Sequence, residues 1–97
     1  MIVRGQAIAE VKGRKEYGVK PLEGKIRHFV VRLTRPDSPF APHKHDGSEL
    51  WYILEGEAIV ALDGDESVVE AGDLILLSPW TTHGLRTETS VRWICLG

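Results

Sequence analysis

Residues 49–64 read ELWYILEGEAIVALDG. The side chains of an extended segment alternate between two faces, so Glu49, Trp51 and Ile53 share one of them. If the two large apolar residues face a core, the Glu49 carboxylate faces inward with them, and an ionised inward carboxylate needs a partner. Glu55-Gly56 then places a glycine where a tight reversal needs positive φ, Glu57 to Leu62 reads as a second strand, and Asp63-Gly64 is a hairpin signal.

Working outward, the same grammar continues in both directions. Candidate strands are Ile26 to Thr34, Ser67 to Glu70, Leu74 to Leu77 and Ser90 to Leu96, with His43 to His45 and His83 to Thr87 as shorter pieces. Asp46-Gly47 is expected to make a reversal with a positive-φ glycine, and Ala71-Gly72-Asp73 a corner. Pro36, Pro39 and Pro42 make residues 35–42 an extended connection, because proline cannot donate to a ladder. Ahead of residue 26 the signal weakens. Ile2, Val3 and Ala7 to Val11 are expected to supply edge strands, and Gly13 to Gly24 a loop. No helical period is long enough to matter, and many short antiparallel strands are managed by closure, so the expected fold is an all-β, small jelly-roll barrel.

At 97 residues there is room for one hydrophobic core, so residues 1–97 are expected to form a single domain, with 1–25 as an N-terminal arm and 26–97 as the barrel. A domain of this size is marginally stable alone, and one sheet face of so small a barrel needs covering, which predicts a homodimer. No stretch approaches the roughly 18 apolar residues of a membrane span, and there is no signal-peptide pattern. The single Cys95 excludes an internal disulfide and fits a reducing compartment, so the expected location is cytoplasmic. Residues 1–35 carry nine Lys/Arg against three Asp/Glu, and residues 36–97 three against eleven. The basic arm is expected to lie against the acidic remainder, in its own subunit or across a dimer. It has no dense basic run and no stacking aromatic beyond Tyr17, so no nucleic-acid partner is expected.

His43 and His45 stand two apart, so on an extended segment both imidazoles project from one face. Glu49 follows the Asp46-Gly47-Ser48 turn and joins them. A divalent cation is the simplest partner for two histidines and an inward carboxylate. His83 lies beyond a strand and a proline-braked turn that could return it to the same side, while His28 is left as a pocket residue. No nucleophile elbow, phosphate-cradling glycine loop, CxxC pair or glycosidase-like carboxylate pair is present.

The pattern His43-x-His45-x3-Glu49-x6-Gly56, followed by Gly72-Asp73-x4-Ser78-Pro79-x3-His83, resembles the two motifs of the cupin superfamily, in particular small single-domain cupins of the cupin 2 conserved-barrel type. The match spans residues 43–83. It departs where the family usually has proline at Ser78, glycine at Trp80 and asparagine at Thr87. The resemblance implies a jelly-roll barrel holding one divalent metal ion inside one end through His43, His45, Glu49 and His83. The donor set suits iron, manganese, nickel, copper, cobalt and zinc alike.

Trp51, His28, Phe40 and Trp93 are the pocket candidates, and Arg32 and Tyr52 could orient an anion. Trp80 is expected to cover the barrel mouth or lie at a dimer contact, and Cys95 to be buried filler. No catalytic residue is assigned. The leading functional expectation is a metal-dependent enzyme, an oxygenase or a lyase/isomerase, acting on a small polar molecule. The competing one is a non-catalytic module that binds a sugar, an acid or the metal itself, and a third is a metal serving stability alone.

Overall fold

The structure, a computed structural model, describes residues 2–22 and 24–97; Met1 and Glu23 of the expected arm lie outside the described residues. It is all-β, a curled antiparallel sheet closing into a jelly roll. The strands are β1 (Arg14–Tyr17), β2 (Phe29–Thr34), β3 (Phe40–His43), β4 (Glu49–Leu62), β5 (Asp65–Glu70), β6 (Leu74–Leu77), β7 (His83–Arg86) and β8 (Val91–Leu96). Neighbours run in the order β1-β2-β8-β4-β7-β3, with β5 and β6 also pairing β4. Among the described residues no helix is long and apolar enough to cross a membrane.

Strand β4 organises the rest. Its first half, from Glu49, pairs with β6 and β8, and its second half, to Leu62, pairs with β5 and β7. A straight strand of 14 residues would be roughly 45 Å long, yet the whole molecule extends only 38 Å along its longest axis. The strand therefore folds over. The fold-over sits at Gly56, which has φ +85, beside a register shift between Ile53 and Glu55. Two separate strands were expected here; instead one strand passes from one sheet to the other through a bulge that only glycine accommodates. A Cβ on Gly56 would run into the Ser90 carbonyl.

The Asp63-Gly64 hairpin is as expected, with both residues at positive φ (50 and 88) and Leu62 opposite Asp65. Gly72, at φ +95, turns the corner from β5 to β6, and its N–H donates to the Ile53 carbonyl. Three other expectations need correction. Gly47 does not adopt positive φ; a Cβ there would meet only the mobile end of the Arg27 side chain. Residues 40–42 are not merely a connection but belong to β3, and Pro42 is tolerated because β3 is an edge strand. At the N-terminus the assignments are exchanged. Residues 14–17, expected within a loop, form β1, whereas Ile2, Val3 and Ala7 to Val11 form no strand and residues 5–7 make a 3-10 turn.

Within the chain the arm is attached by the β1–β2 ladder and by the Tyr17 ring edge-on to Phe29. Among the described residues its one ion pair with the rest of the chain runs the other way, from Glu10 to Arg92. Inside the curl, Val30, Trp51, Ile53, Ala58, Val60, Ile75, Leu77, Leu85, Val91, Trp93 and Cys95 form one apolar cluster. These are the alternate residues of their strands, which is why a period of two in the sequence becomes a layered core.

Because Gly56 combines positive φ with contact against the Ser90 backbone, Gly56→Ala should destabilise the fold by about 2 kcal/mol or more. A urea unfolding curve should show a lower midpoint with an unchanged slope. A midpoint equal to that of the parent would contradict the role given to this corner.

Candidate metal centre

The fold-over of β4 returns both of its ends to one mouth of the curl. Leu62 stands opposite His83 in the β4–β7 ladder, and the Glu49 carboxylate at the other end reaches the same histidine, Oε1 to Nε2 3.9 Å. His43 faces His83 across the β3–β7 pair. His45 lies just beyond β3, where the Trp80 backbone N–H donates to its carbonyl at 2.7 Å. One nitrogen from each of His43, His45 and His83 falls within 4.8 Å of the other two.

The imidazoles are oriented from behind. His83 Nδ1 is 2.7 Å from the Thr81 carbonyl oxygen and His43 Nδ1 is 3.1 Å from that of Ala41. A carbonyl only accepts, so in both rings Nδ1 carries the proton and Nε2 presents a lone pair. The Nε2 atoms of His45 and His83 are buried without a hydrogen-bond partner. His45 Nε2 lies 3.1 Å from Glu49 Oε2, an ion-pair distance but not a hydrogen-bonding geometry.

Burial lowers the His83 pKa, offset in part by the bond to Thr81, while His43 pushes it further down. Burial would raise the Glu49 carboxyl, but hydrogen bonds from Trp51 and Cys95, with His45 and His28 nearby, outweigh it and hold the group below the ordinary carboxylate range. Imidazole nitrogens and a carboxylate thus converge without hydrogen bonds among them, an arrangement that a divalent cation satisfies. The residues fit a metal ion.

The other sequence candidates are distributed around this point. Trp51 is fully buried, and its Nε1–H donates to Glu49 Oε1 at 3.0 Å, so it is core that also orients the carboxylate. Trp93 is equally buried and donates to Thr34 Oγ1 at 2.9 Å. Phe40 packs edge-on to His43, Trp51 and Trp93. His28 approaches the same Glu49 oxygen as His45, Nε2 to Oε2 3.3 Å, and lies next to buried Cys95. Together with Arg27, His45, Asp46, Gly47 and Ser48, His28 and Glu49 line an open cavity of about 240 Å³.

Arg32 points inward and Tyr52 outward. The Arg32 guanidinium lies over Phe40, 4.8 Å from the ring centre, and its Nε is buried without a partner. Its pKa is lowered by burial, partly offset by Cys95. Tyr52 alternates out of the core, onto the outer face of the sheet. Sequence reasoning left Arg32 undecided between the two faces; its place opposite Trp93, itself in an alternating apolar strand, is the signal that separates them.

The family model for the cupin domain matches residues 30–97. The chain belongs to the cupin family. Two curated relatives are an uncharacterized protein of Methanocaldococcus jannaschii, 45% identical over 50 residues covering 50% of this chain and 40% of that protein, and an oxalate-binding protein of Thermotoga maritima, 31% identical over 65 residues covering 66% and 54%. The chain spans about half the length of these relatives. Among solved structures it superimposes on one from Thermotoga maritima described as a predicted oxalate decarboxylase, with TM-score 0.81, 23% identity and coverage of 99% of this chain and 96% of that one. An RmlC-like cupin from Shewanella frigidimarina gives TM-score 0.78 and 26% identity over 92% of this chain and 79% of that one.

Where cupins usually carry glycine, this cupin has Trp80 at φ +66 with its side chain 63% exposed. A bulky residue in the left-handed region is strained. Replacement by glycine should therefore stabilise the protein by about 1 kcal/mol despite the added chain entropy. Thermal unfolding of Trp80→Gly checks this, and a lowered melting temperature would show that the ring makes contacts worth more than the strain.

Proposed function

We propose that this cupin holds one divalent transition-metal ion through Nε2 of His43, His45 and His83 and a carboxylate oxygen of Glu49, and uses it to take up a small carboxylate anion. The single observation that carries the ligand class is Arg32. A buried guanidinium nitrogen with no partner, one aromatic ring away from His43, is a cation waiting for an anion. The oxalate-binding relative points to the same chemical class.

A bound ion would act as a Lewis acid or, if iron, manganese or copper, as the place where dioxygen binds. The protein's own residues do the rest. Trp51 and His28 fix the Glu49 carboxylate, and Thr81 and Ala41 set the histidine tautomers. Phe40 packs between Arg32 and His43, so that an anion reaching the mouth meets positive charge on a dry, apolar wall. Turnover of the bound acid, as oxygenase or as lyase/isomerase, is the stronger form of this reading. Capture without turnover has its own support in the name of the oxalate-binding relative.

Calorimetry with oxalate as the probe tests the reading on protein loaded with manganese. Binding should be at least tenfold weaker in Arg32→Ala, in keeping with the roughly 1.5–3 kcal/mol of a hydrogen bond to a charged group, and absent in His45→Ala, which should lose the metal. Equal oxalate affinity in the metal-free protein or in Arg32→Ala would sink it. Following the bound acid by mass spectrometry then separates turnover from capture.

We also propose that the chain is a homodimer. On the outer face of the sheet Leu50 stands opposite Leu76 and Tyr52 opposite Leu74. Leu96 and Ile94 continue the row on β8. Leu74 and Leu76 are 55% and 66% exposed, an apolar surface that a second copy would cover. Light scattering should give twice the chain mass, and Leu76→Glu should shift it to the monomer; a monomeric parent protein would remove the claim.

A further inference from the structure

Glu49 has a second set of neighbours that the three histidines do not explain. We propose that His28, Glu49 and Cys95 form a separate cation seat, which takes a soft or borderline divalent ion such as zinc or cobalt through an imidazole nitrogen, a carboxylate oxygen and a thiolate. The proposal shares Glu49 with the reading above but does not depend on His43, His45 or His83.

The seat is built by three adjacent strands. In the sheet β8 lies between β2 and β4, with Cys95 opposite Val30 on one side and Trp51 on the other. His28 directly precedes β2 and Glu49 opens β4, so all three side chains project into the same end of the curl. One donor atom from each of the three residues lies within 4.8 Å of the other two, and the two Glu49 oxygens divide the close contacts between them. Cys95 Sγ is 3.4 Å from His28 Nε2 and 3.4 Å from Glu49 Oε1, and His28 Nε2 is 3.3 Å from Glu49 Oε2. Tetrahedral zinc with bonds of about 2.1 Å to nitrogen and oxygen and about 2.3 Å to sulfur separates its ligands by roughly 3.4–3.6 Å. The imidazole–thiol and thiol–carboxylate contacts are already close to that spacing, and a small rotation of the Glu49 carboxylate would bring one oxygen to both partners.

Chemistry and access agree with this. The set brings sulfur, nitrogen and oxygen together, whereas the neighbouring group is all imidazole apart from the shared carboxylate, and sulfur biases a site toward softer ions. Cys95 is buried, while the His28 side chain is 29% exposed and with Glu49 lines the open cavity of about 240 Å³. Water in that cavity supplies the fourth ligand. Burial, and then the Glu49 carboxylate, push the Cys95 thiol up to about 12, so the metal must displace its proton; on binding the S–H bond breaks, the proton passes to solvent, and the sulfur electron pair forms the metal bond, with nothing oxidised or reduced.

The test is a titration of the full-length, chelator-stripped protein with cobalt(II), read by absorption. Thiolate ligation gives a sulfur-to-cobalt charge-transfer band in the near ultraviolet, which imidazole and carboxylate ligands do not. The band should appear in the parent protein, vanish in Cys95→Ser, form at least tenfold more weakly in His28→Gln, and persist in the double variant His43→Ala/His45→Ala. Cobalt that binds the parent protein without the band overturns the proposal, and this measurement needs no variant to fold. A band that disappears with His43 and His45 overturns it too, since the sulfur would then belong to the three-histidine ion. If the double variant keeps the band and binds as much cobalt as the parent, the seat stands and the three-histidine reading fails.

Discussion

The fold-over of β4 at Gly56 is the constraint on which the rest depends. Without a corner that sharp, Glu49 and Leu62 would lie at opposite ends of the molecule, and the strand could serve only one sheet. With it, the first half carries Glu49 into the mouth while the second half carries the ladder that places His83 there. A glycine provides the turn because the backbone is at positive φ and because the Ser90 carbonyl leaves no room for a Cβ. The conformational cost of one residue is thus what lets residues 34 positions apart in the chain share one point in space.

At that point the dominant fact is a surplus of electron pairs. Backbone carbonyls behind His43 and His83 fix where the imidazole protons sit, so the Nε2 lone pair of buried His83 has no partner but the neighbouring imidazoles and Glu49. Such a cluster is costly when empty, since burying acceptors without donors forfeits their hydration. The aromatic core contributes directly. Trp51, which by volume and burial is core, spends its one N–H on Glu49, and so packing and electrostatics are coupled through a single side chain. The same carboxylate touches His28 and Cys95, so changes on either side of it are felt on the other.

Much of this was legible in the sequence, and the physical reason is that short-range rules govern it. Alternation in β4, β6 and β8 separates inward from outward residues, so the core and the inward pointing of Glu49 follow from a period of two. The turn chemistry of Asp63-Gly64 and Gly72 is equally local. What escaped was set by contacts at long range. Residues 14–17 carry three charged or polar side chains and no strand pattern, and become β1 only because the edge of β2 is free to accept them. Gly47 looks like a turn glycine but does not adopt positive φ; what lies beside it is the Arg27 guanidinium, from a different part of the chain.

Trp80 carries the comparison one step further. As a sequence departure it only marked the turn ahead of His83 as unusual; in three dimensions it occupies the left-handed conformation that explains why glycine suits the position. The strain is held because the Trp80 N–H is bonded to the His45 carbonyl, so the turn that presents one histidine is tied to the backbone of another. A strained residue persists where its surroundings over-determine it, and here those surroundings are two of the donors themselves. The main chain therefore holds the backbone of His45 and the ring of His83. The site is adjustable on the side of Glu49, whose carboxylate is positioned only by side chains.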